Sequence, residues 1–177
     1  ASGTEYLWQG NPEFWSGQAP VLFPIVGCLR NGTATIGDNK TCSFGRHGLA
    51  RRLEFDLVSS SDTSITYSLK ANDKTKEQYP YDFELQMTYE LTEHGVKVSH
   101  TVINHDSVVM PYCVGGHPAF NCPVFENESF EDYIVEFEQP ENAACAQLTE
   151  DGLINNADRV SVLENEAVIP VRHSLFY

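Results

Sequence analysis

Apolar and polar residues alternate through the middle of the chain. From residue 83 to residue 91 every odd position is apolar and every even position is polar. A period of two places the apolar side chains on one face of a β-strand. A second alternation covers residues 96–102 and follows turn-forming residues at 92–95. The two segments therefore predict a long β-hairpin.

Shorter alternations occur at residues 65–69 and 133–137, and clusters of Ser, Asn, Asp, Gly and Pro lie between them. Such clusters mark turns. The segment 167–177 is also apolar and strand-like to its last residue. Since the sequence shows no helical stripe of comparable strength, the pattern predicts an antiparallel all-β sandwich or barrel.

Length and composition predict one packed domain. The chain has 177 residues, of which 41% are hydrophobic and 11% aromatic. At roughly 150 residues per domain, we expect a single β-sandwich domain over residues 1–177. The chain begins without methionine and ends in an apolar segment. We therefore also expect that this domain is truncated at both ends.

The overall charge disfavours two classes of partner. Eleven basic and 25 acidic residues give a net charge of −14, which repels nucleic-acid phosphates and anionic lipid head groups. The longest apolar run, at 20–29, is too short to span a membrane. We therefore expect no nucleic-acid partner and no membrane partner. Five cysteines without a C-x-x-C pair favour reduced thiols and a cytoplasmic location.

The charges are unevenly distributed. Residues 30–52 contain five basic residues and one acidic residue, a net charge of +4. Guanidinium groups in such a stretch could hold an anionic or polyhydroxylated ligand. The alternative is that they form surface ion pairs. Residues 126–151 carry nine carboxylates and no Lys or Arg, which is typical of a solvated face.

Two of the six histidines lie in unusual contexts. His47 is flanked by glycines, which let the backbone turn sharply, and by arginines, which disfavour a charged imidazole. His117 follows two glycines and precedes a proline, so we expect an extended segment with room for a ligand. Both are candidate site residues. The alternative for each is a packed or solvent-facing side chain.

Motifs for several other chemistries are missing from the sequence. It has no H-E-x-x-H, C-x-x-C or EF-hand spacing for a metal ion. It has no G-x-S-x-G for a nucleophilic serine and no glycine-rich nucleotide-binding loop. We therefore expect no metal site and no cofactor.

Four segments in order carry a family resemblance: YLWQGNPEFW at 6–15, APVLFPIVG at 19–27, FGRHGLAR at 44–51 and GHPAFN at 116–121. They resemble the aldose 1-epimerase (galactose mutarotase) superfamily, and within it the bacterial LacX-like branch. The resemblance runs along nearly all of the chain. It implies the antiparallel β-supersandwich of that family, of which this chain would form an incomplete portion.

The resemblance also implies that the protein is an isomerase that interconverts the α and β anomers of an aldohexose. This reaction needs a base for the C1 hydroxyl proton and an acid for the ring oxygen, both active near neutral pH. By similarity, His117 matches the general acid and His47 matches a catalytic-site histidine that orients the sugar. Arg51 and Arg30 match groups that bind sugar hydroxyls or a substituent.

The sequence departs from the family pattern in two places. The family has an arginine close to the position of Cys28, where this chain has only Arg30 nearby. The glutamate base and a sugar-binding aspartate of the family lie downstream of the second histidine, in a stretch that would begin after Tyr177. We therefore predict that the 177-residue chain alone is inactive.

Two alternative functions stay open. A hexose 6-phosphate 1-epimerase is favoured by the same His-Gly-Leu-Ala-Arg sequence, because the basic stretch could seat a phosphate. A non-catalytic carbohydrate-binding β-sandwich is the interpretation if the base is truly missing. In each case the partner is a small-molecule aldose sugar, with or without a phosphate.

Overall fold

The structure is a computed structural model that describes residues 3–175. Strands dominate, and one short α-helix is present among these residues. The elements are β1 (Val21–Leu22), β2 (Thr33–Ile36), β3 (Lys40–Ser43), β4 (Asp56–Ser60), β5 (Ser64–Lys70), α1 (Asp73–Gln78), β6 (Phe83–Thr92), β7 (Gly95–Asn104), β8 (Gly115–Gly116), β9 (Ile134–Leu148) and β10 (Ile154–Pro170). This content confirms the all-β prediction.

Contacts within the chain define two units, and each is described by itself. The central unit is Val21–His117 and contains β1 to β8 together with α1. The flanking unit combines Ala1–Pro20 with Pro118–Tyr177 and contains β9 and β10. No helix among residues 3–175 is long and apolar enough to cross a membrane.

Strands β4, β5, β6 and β7 form an antiparallel sheet in which neighbours in sequence are neighbours in space. The hairpin of β6 and β7 is the one that the alternation at 83–91 and 96–102 predicts. Leu85 of β6 lies opposite Leu69 of β5 and Val102 of β7. One face of the sheet is therefore apolar across three strands.

The core of the central unit covers one end of this apolar face. Phe83 and Leu85 are fully buried, whereas Leu91 at the other end of β6 is 61% exposed. Loop residues supply the other half of the core, because Phe23, Phe44 and Tyr79 pack together with the sheet. The loops that carry Phe23 and Phe44 also carry the candidate site.

The polar face of the same sheet contains a buried carboxylate. Glu84 is 7% exposed and accepts hydrogen bonds from the Ser68 hydroxyl and the Gln86 amide, each at 2.8 Å. A ring nitrogen of His105 lies 3.0 Å from its other oxygen. These bonds, from Gln86 first and then from His105 and Ser68, lower the pKa of Glu84 to about 2.

Helix α1 lies in the connection between β5 and β6, where the sequence gives no helical stripe. A capping box holds its first turn, because the Asn72 side chain accepts from the Thr75 amide and the Thr75 hydroxyl accepts from the Asn72 amide. A helix of six residues is shorter than two turns, so an apolar stripe cannot repeat along it. Periodicity could not therefore reveal it.

Strands β9 and β10 form a long antiparallel ribbon in the flanking unit, with several register shifts along its length. The alternation predicted at 133–137 lies mostly within β9. The predicted strand at 167–177 is only partly correct: β10 ends at Pro170, and His173–Leu175 form a 3-10 turn. Residues 176 and 177 lie outside the described residues.

Candidate active site

The segment 21–27 supports both candidate histidines. Its first residues form β1, which pairs with β8 so that Val21 lies opposite Gly116. His117 directly follows Gly116 and is exposed. The amide of Cys113 donates to the Pro24 carbonyl at 2.8 Å, which ties the approach to β8 to the same segment. His117 is thus held beside segment 21–27 by backbone pairing.

The loop that carries His47 is attached to the same segment from the other side. The Phe23 carbonyl accepts hydrogen bonds from the amides of Leu49 and Ala50, at 3.0 and 3.2 Å. Gly48 has a φ of +76°, and a Cβ at this position would overlap the Phe23 carbonyl. Only glycine allows the loop to approach this closely, because any side chain would separate the two backbones.

His47 makes two hydrogen bonds with Gly27. Its amide donates to the Gly27 carbonyl at 2.8 Å, and the Gly27 amide donates to His47 Nδ1 at 3.0 Å. His47 has a φ of +66°, a conformation that few residues other than glycine adopt. An Nδ1 atom that accepts a hydrogen bond carries no proton, so the neutral ring carries its proton on Nε2.

The two imidazole rings lie close together although 70 positions separate them in sequence. Their centroids are 5.8 Å apart, and the ring planes meet at 76° in an edge-to-face arrangement. His117 is exposed and His47 is half-buried. Neither ring is enclosed in the apolar core.

The surroundings of His47 keep its ring neutral. Burial lowers the pKa of His47, and the positive charges of Arg51, His117 and Arg46 lower it further. Each of these effects disfavours the imidazolium form. At neutral pH the ring therefore presents an Nε2–H donor.

Arg51 carries a hydrogen-bond donor without an acceptor. It lies in the 3-10 turn Ala50–Arg52, and its Nε atom is buried with no partner in the described protein. A buried unsatisfied donor is costly, and an oxygen atom of a bound ligand would remove that cost. Arg30 is exposed in a separate turn, Arg30–Gly32. Arg46 is the second arginine whose charge lowers the pKa of His47, and the family resemblance does not single it out.

The basic stretch 30–52 is mostly free of ion pairs. Among the residues that the structure describes, only Lys40 of this stretch forms one, with Asp106 at 3.9 Å. The surface ion-pair alternative therefore does not account for the four arginines of the stretch. Over the same described range, no group of three or more His, Cys, Asp or Glu residues could hold a metal ion.

Two supports of the site could not be found by residue type. The amide of Gly27 and the carbonyl of Phe23 act through the backbone, so their side chains give no signal of that role. Gly27 and Gly48 both have positive φ values, at +84° and +76°. In the sequence, a glycine indicates that the backbone can turn sharply, but it does not identify the residue whose backbone lies against the turn.

Comparison with known proteins identifies the family of this chain. The sequence model of the family described as Aldose 1-epimerase matches residues 1–165. The plasmid-encoded protein LacX of Lactococcus lactis subsp. lactis is 41% identical over 180 residues, which cover 98% of this chain and 60% of LacX. The chain thus spans about three fifths of the length of the curated relatives that it matches.

Solved structures of galactose mutarotase-like proteins support the same family assignment. A galactose mutarotase related enzyme from Lactobacillus acidophilus superimposes with a TM-score of 0.90 at 33% identity, covering 99% of this chain and 57% of that one. A galactose mutarotase-like protein from Lactobacillus casei gives a TM-score of 0.78 at 31% identity, covering 96% and 58%. The fold is therefore a large part of a galactose mutarotase-like sandwich, and the chain belongs to the LacX-like branch of the aldose 1-epimerase family.

Proposed function

We propose that the protein is an aldose 1-epimerase that interconverts the α and β anomers of an aldohexose, and that this chain contributes the histidine side of its site. The observation that supports this most is the proximity of the two imidazole rings, whose centroids are 5.8 Å apart. His117 is exposed, and His47 Nδ1 accepts a hydrogen bond from the backbone amide of Gly27. Membership of the epimerase family gives the reaction class. The roles of individual residues below are part of the proposal.

Ring opening requires two proton transfers. A base removes the proton of the C1 hydroxyl, the C1–O5 bond breaks as a C1 carbonyl forms, and an acid delivers a proton to O5. We assign the acid to His117, because imidazolium releases a proton near neutral pH. Rotation about C1–C2 and closure from the other face then give the second anomer. The acid and the base exchange roles during closure, so no net proton is consumed.

The sugar must be held while its ring opens. In this proposal the Nε2–H of His47 donates to a sugar oxygen, and the buried Nε of Arg51 donates to a hydroxyl. Both donors are held before the ligand arrives, because His47 is bonded to Gly27 and the Nε atom of Arg51 is buried. Donors that are already in place lower the cost of ordering the site.

The base completes the proposal. The resemblance implies a glutamate downstream of Tyr177, and the relatives are longer than the part that this chain matches. We therefore expect the protein that includes this glutamate to accelerate anomer exchange. We expect the 177-residue chain alone to leave the exchange rate at its spontaneous value.

Polarimetry and NMR exchange spectroscopy on galactose and glucose test the proposal. The intact protein should speed the relaxation of pure α-anomer, and His117→Ala should remove most of that rate. His94→Ala is the matched control, because His94 is an exposed histidine in the turn between β6 and β7. Binding of a hexose by calorimetry without faster exchange would instead establish the non-catalytic sugar-binding alternative.

A second candidate is a hexose 6-phosphate 1-epimerase. The observation in its favour is that Arg30, Arg46, Arg51 and Arg52 form no ion pair with the described protein, although the chain has a net charge of −14. Guanidinium groups bind phosphate by paired hydrogen bonds. A higher kcat/KM for glucose 6-phosphate than for glucose would favour it, and equal values would exclude it.

A further inference from the structure

We propose that the backbone amide of Gly27 is a positioning group that holds His47 in its neutral Nε2–H tautomer, so that His47 is fixed as a hydrogen-bond donor before the sugar binds. The inference rests on the proposed function, since it divides the work between the two histidines. The resemblance already implies that His117 is the acid and that His47 orients the sugar. The new element is the backbone amide that fixes the tautomer of His47.

The geometry of the Gly27 contact carries the first step. A backbone amide can donate a hydrogen bond but cannot accept one. Because the Gly27 amide points at His47 Nδ1 from 3.0 Å, that nitrogen must keep its lone pair. A proton on Nδ1 would break this bond and set two N–H groups against each other. The second bond, from the His47 amide to the Gly27 carbonyl at 2.8 Å, keeps the two residues in register.

The charges around His47 act in the same direction. Arg51, Arg46 and His117 all place positive charge near the ring, and each of them disfavours a second proton on it. A residue that shuttles protons must bind and release one in every cycle. His47 is held in one protonation state by a backbone bond and by three neighbours, so it is suited to donation only.

His117 is in a different position. It lies at the end of β8 and is exposed to solvent, without the left-handed backbone conformation that His47 has. The two histidines at 5.8 Å therefore need not be equivalent. One holds the sugar oxygen in place, and the other exchanges the proton.

The protonation state can be measured without any activity. Long-range proton–nitrogen correlation spectra of the intact, nitrogen-15-labelled protein distinguish the two neutral tautomers and the imidazolium. We expect His47 as the neutral Nε2–H tautomer at pH 7, with a pKa below the ordinary value for histidine. A proton on Nδ1 of His47, or a cationic ring at pH 7, would overturn the proposal. Absence of epimerase activity would leave this result standing and would refute only the proposed function.

The division of labour can be measured by substitution. Glutamine presents an amide N–H at nearly the same reach as imidazole Nε2 but cannot titrate. We expect His47→Gln to keep kcat/KM within about tenfold, the value of one hydrogen bond, whereas His47→Ala should lose about 10²-fold through misplacement of the sugar. His117→Gln should lose about 10²- to 10⁴-fold. Equal losses for His47→Gln and His47→Ala would overturn the proposal.

Gly27 itself can be changed with a matched control. A Cβ at Gly27 meets nothing within 4 Å, but its φ of +84° strains any residue with a side chain. Gly27→Ala should therefore move the amide away from His47 and let the Nδ1–H tautomer appear in the spectra. Gly45→Ala, which also meets nothing within 4 Å and lies in the same loop as His47, should leave the spectrum unchanged. An unchanged tautomer in Gly27→Ala would contradict the role given to the amide.

Discussion

The four-stranded sheet and the candidate site are held together in different ways. Strands β6 and β7 pair continuously over ten residues each, so that no single pair fixes their register. The histidines depend instead on a few backbone bonds to segment 21–27, including two to the Phe23 carbonyl and two to Gly27. Many equivalent residue pairs hold the sheet, whereas the position of each histidine depends on a few specific bonds. Damage to the sheet should therefore lower stability, and damage to segment 21–27 or its partners should change the geometry of the site.

His117→Ala should separate catalytic activity from stability most clearly. The intact enzyme should lose about 10²- to 10⁴-fold in turnover of the sugar, the usual loss for one positioned acid. Because His117 is exposed, its free energy of unfolding should change by less than about 0.5 kcal/mol. Exchange spectroscopy and urea titration on the same samples check both values. A variant with wild-type turnover would remove His117 from the mechanism.

The reverse behaviour is expected for Leu85→Ala. Leu85 is fully buried at the centre of the sheet, so truncation should lower the free energy of unfolding by about 2–5 kcal/mol. The remaining folded protein should keep the neutral Nε2–H tautomer of His47. Urea titration and nitrogen-15 spectra measure the two effects. A changed tautomer would show that the sheet and the site are more strongly coupled than we infer.

The buried carboxylate on the polar face of the sheet allows the stability of the sheet to be tested as a function of pH. The folded pKa of Glu84 is about 2, below its ordinary value of 4.5, so the ionised carboxylate stabilises the fold above about pH 4.5. Glu84→Gln should cost about 1.5–3 kcal/mol at pH 7 through loss of hydrogen bonds to a charged group. The difference from wild type should shrink as the pH falls from about 4.5 to 2, and a constant difference across that range would contradict the assignment.

A smaller loss of stability with a larger change at the site is expected for Gly48→Ala. The φ of +76° and the overlap with the Phe23 carbonyl should cost about 1–3 kcal/mol. The loop should also move away from segment 21–27 and displace His47, which lowers kcat/KM. Gly45→Ala is the control, because its Cβ would lie in open space. Equal behaviour of the two variants in urea titration would show that the close approach at Gly48 is unimportant.

Periodicity predicted the sheet but not the site. Strands β5, β6 and β7 follow from alternation because one face of each is partly buried and the other is polar. Strand β4 is exposed at every position, so its side chains carry no period that burial would impose. Helix α1 is too short to show a stripe. What the sequence predicts is thus limited to elements whose burial selects their residues.

The site required other information. His47 and His117 could be named as a pair only through the family resemblance, because nothing in their local sequence shows that β1 and the His47 loop meet. The bonds of Phe23 and Gly27 are made by backbone atoms that every residue has. Their position depends on the path of the whole segment and not on residue type. Arg51 was singled out by the resemblance, but the missing acceptor of its Nε is visible only in three dimensions.

The central claim is that His47 and His117 act on one sugar in one transition state. A double-mutant cycle on anomer exchange tests it most directly, with the intact protein, His47→Ala, His117→Ala and the double variant. Residues that act together give losses that do not multiply. The account predicts that the double variant is within about threefold of His117→Ala alone. Losses that multiply, or exchange that is unaffected by either change, would contradict it.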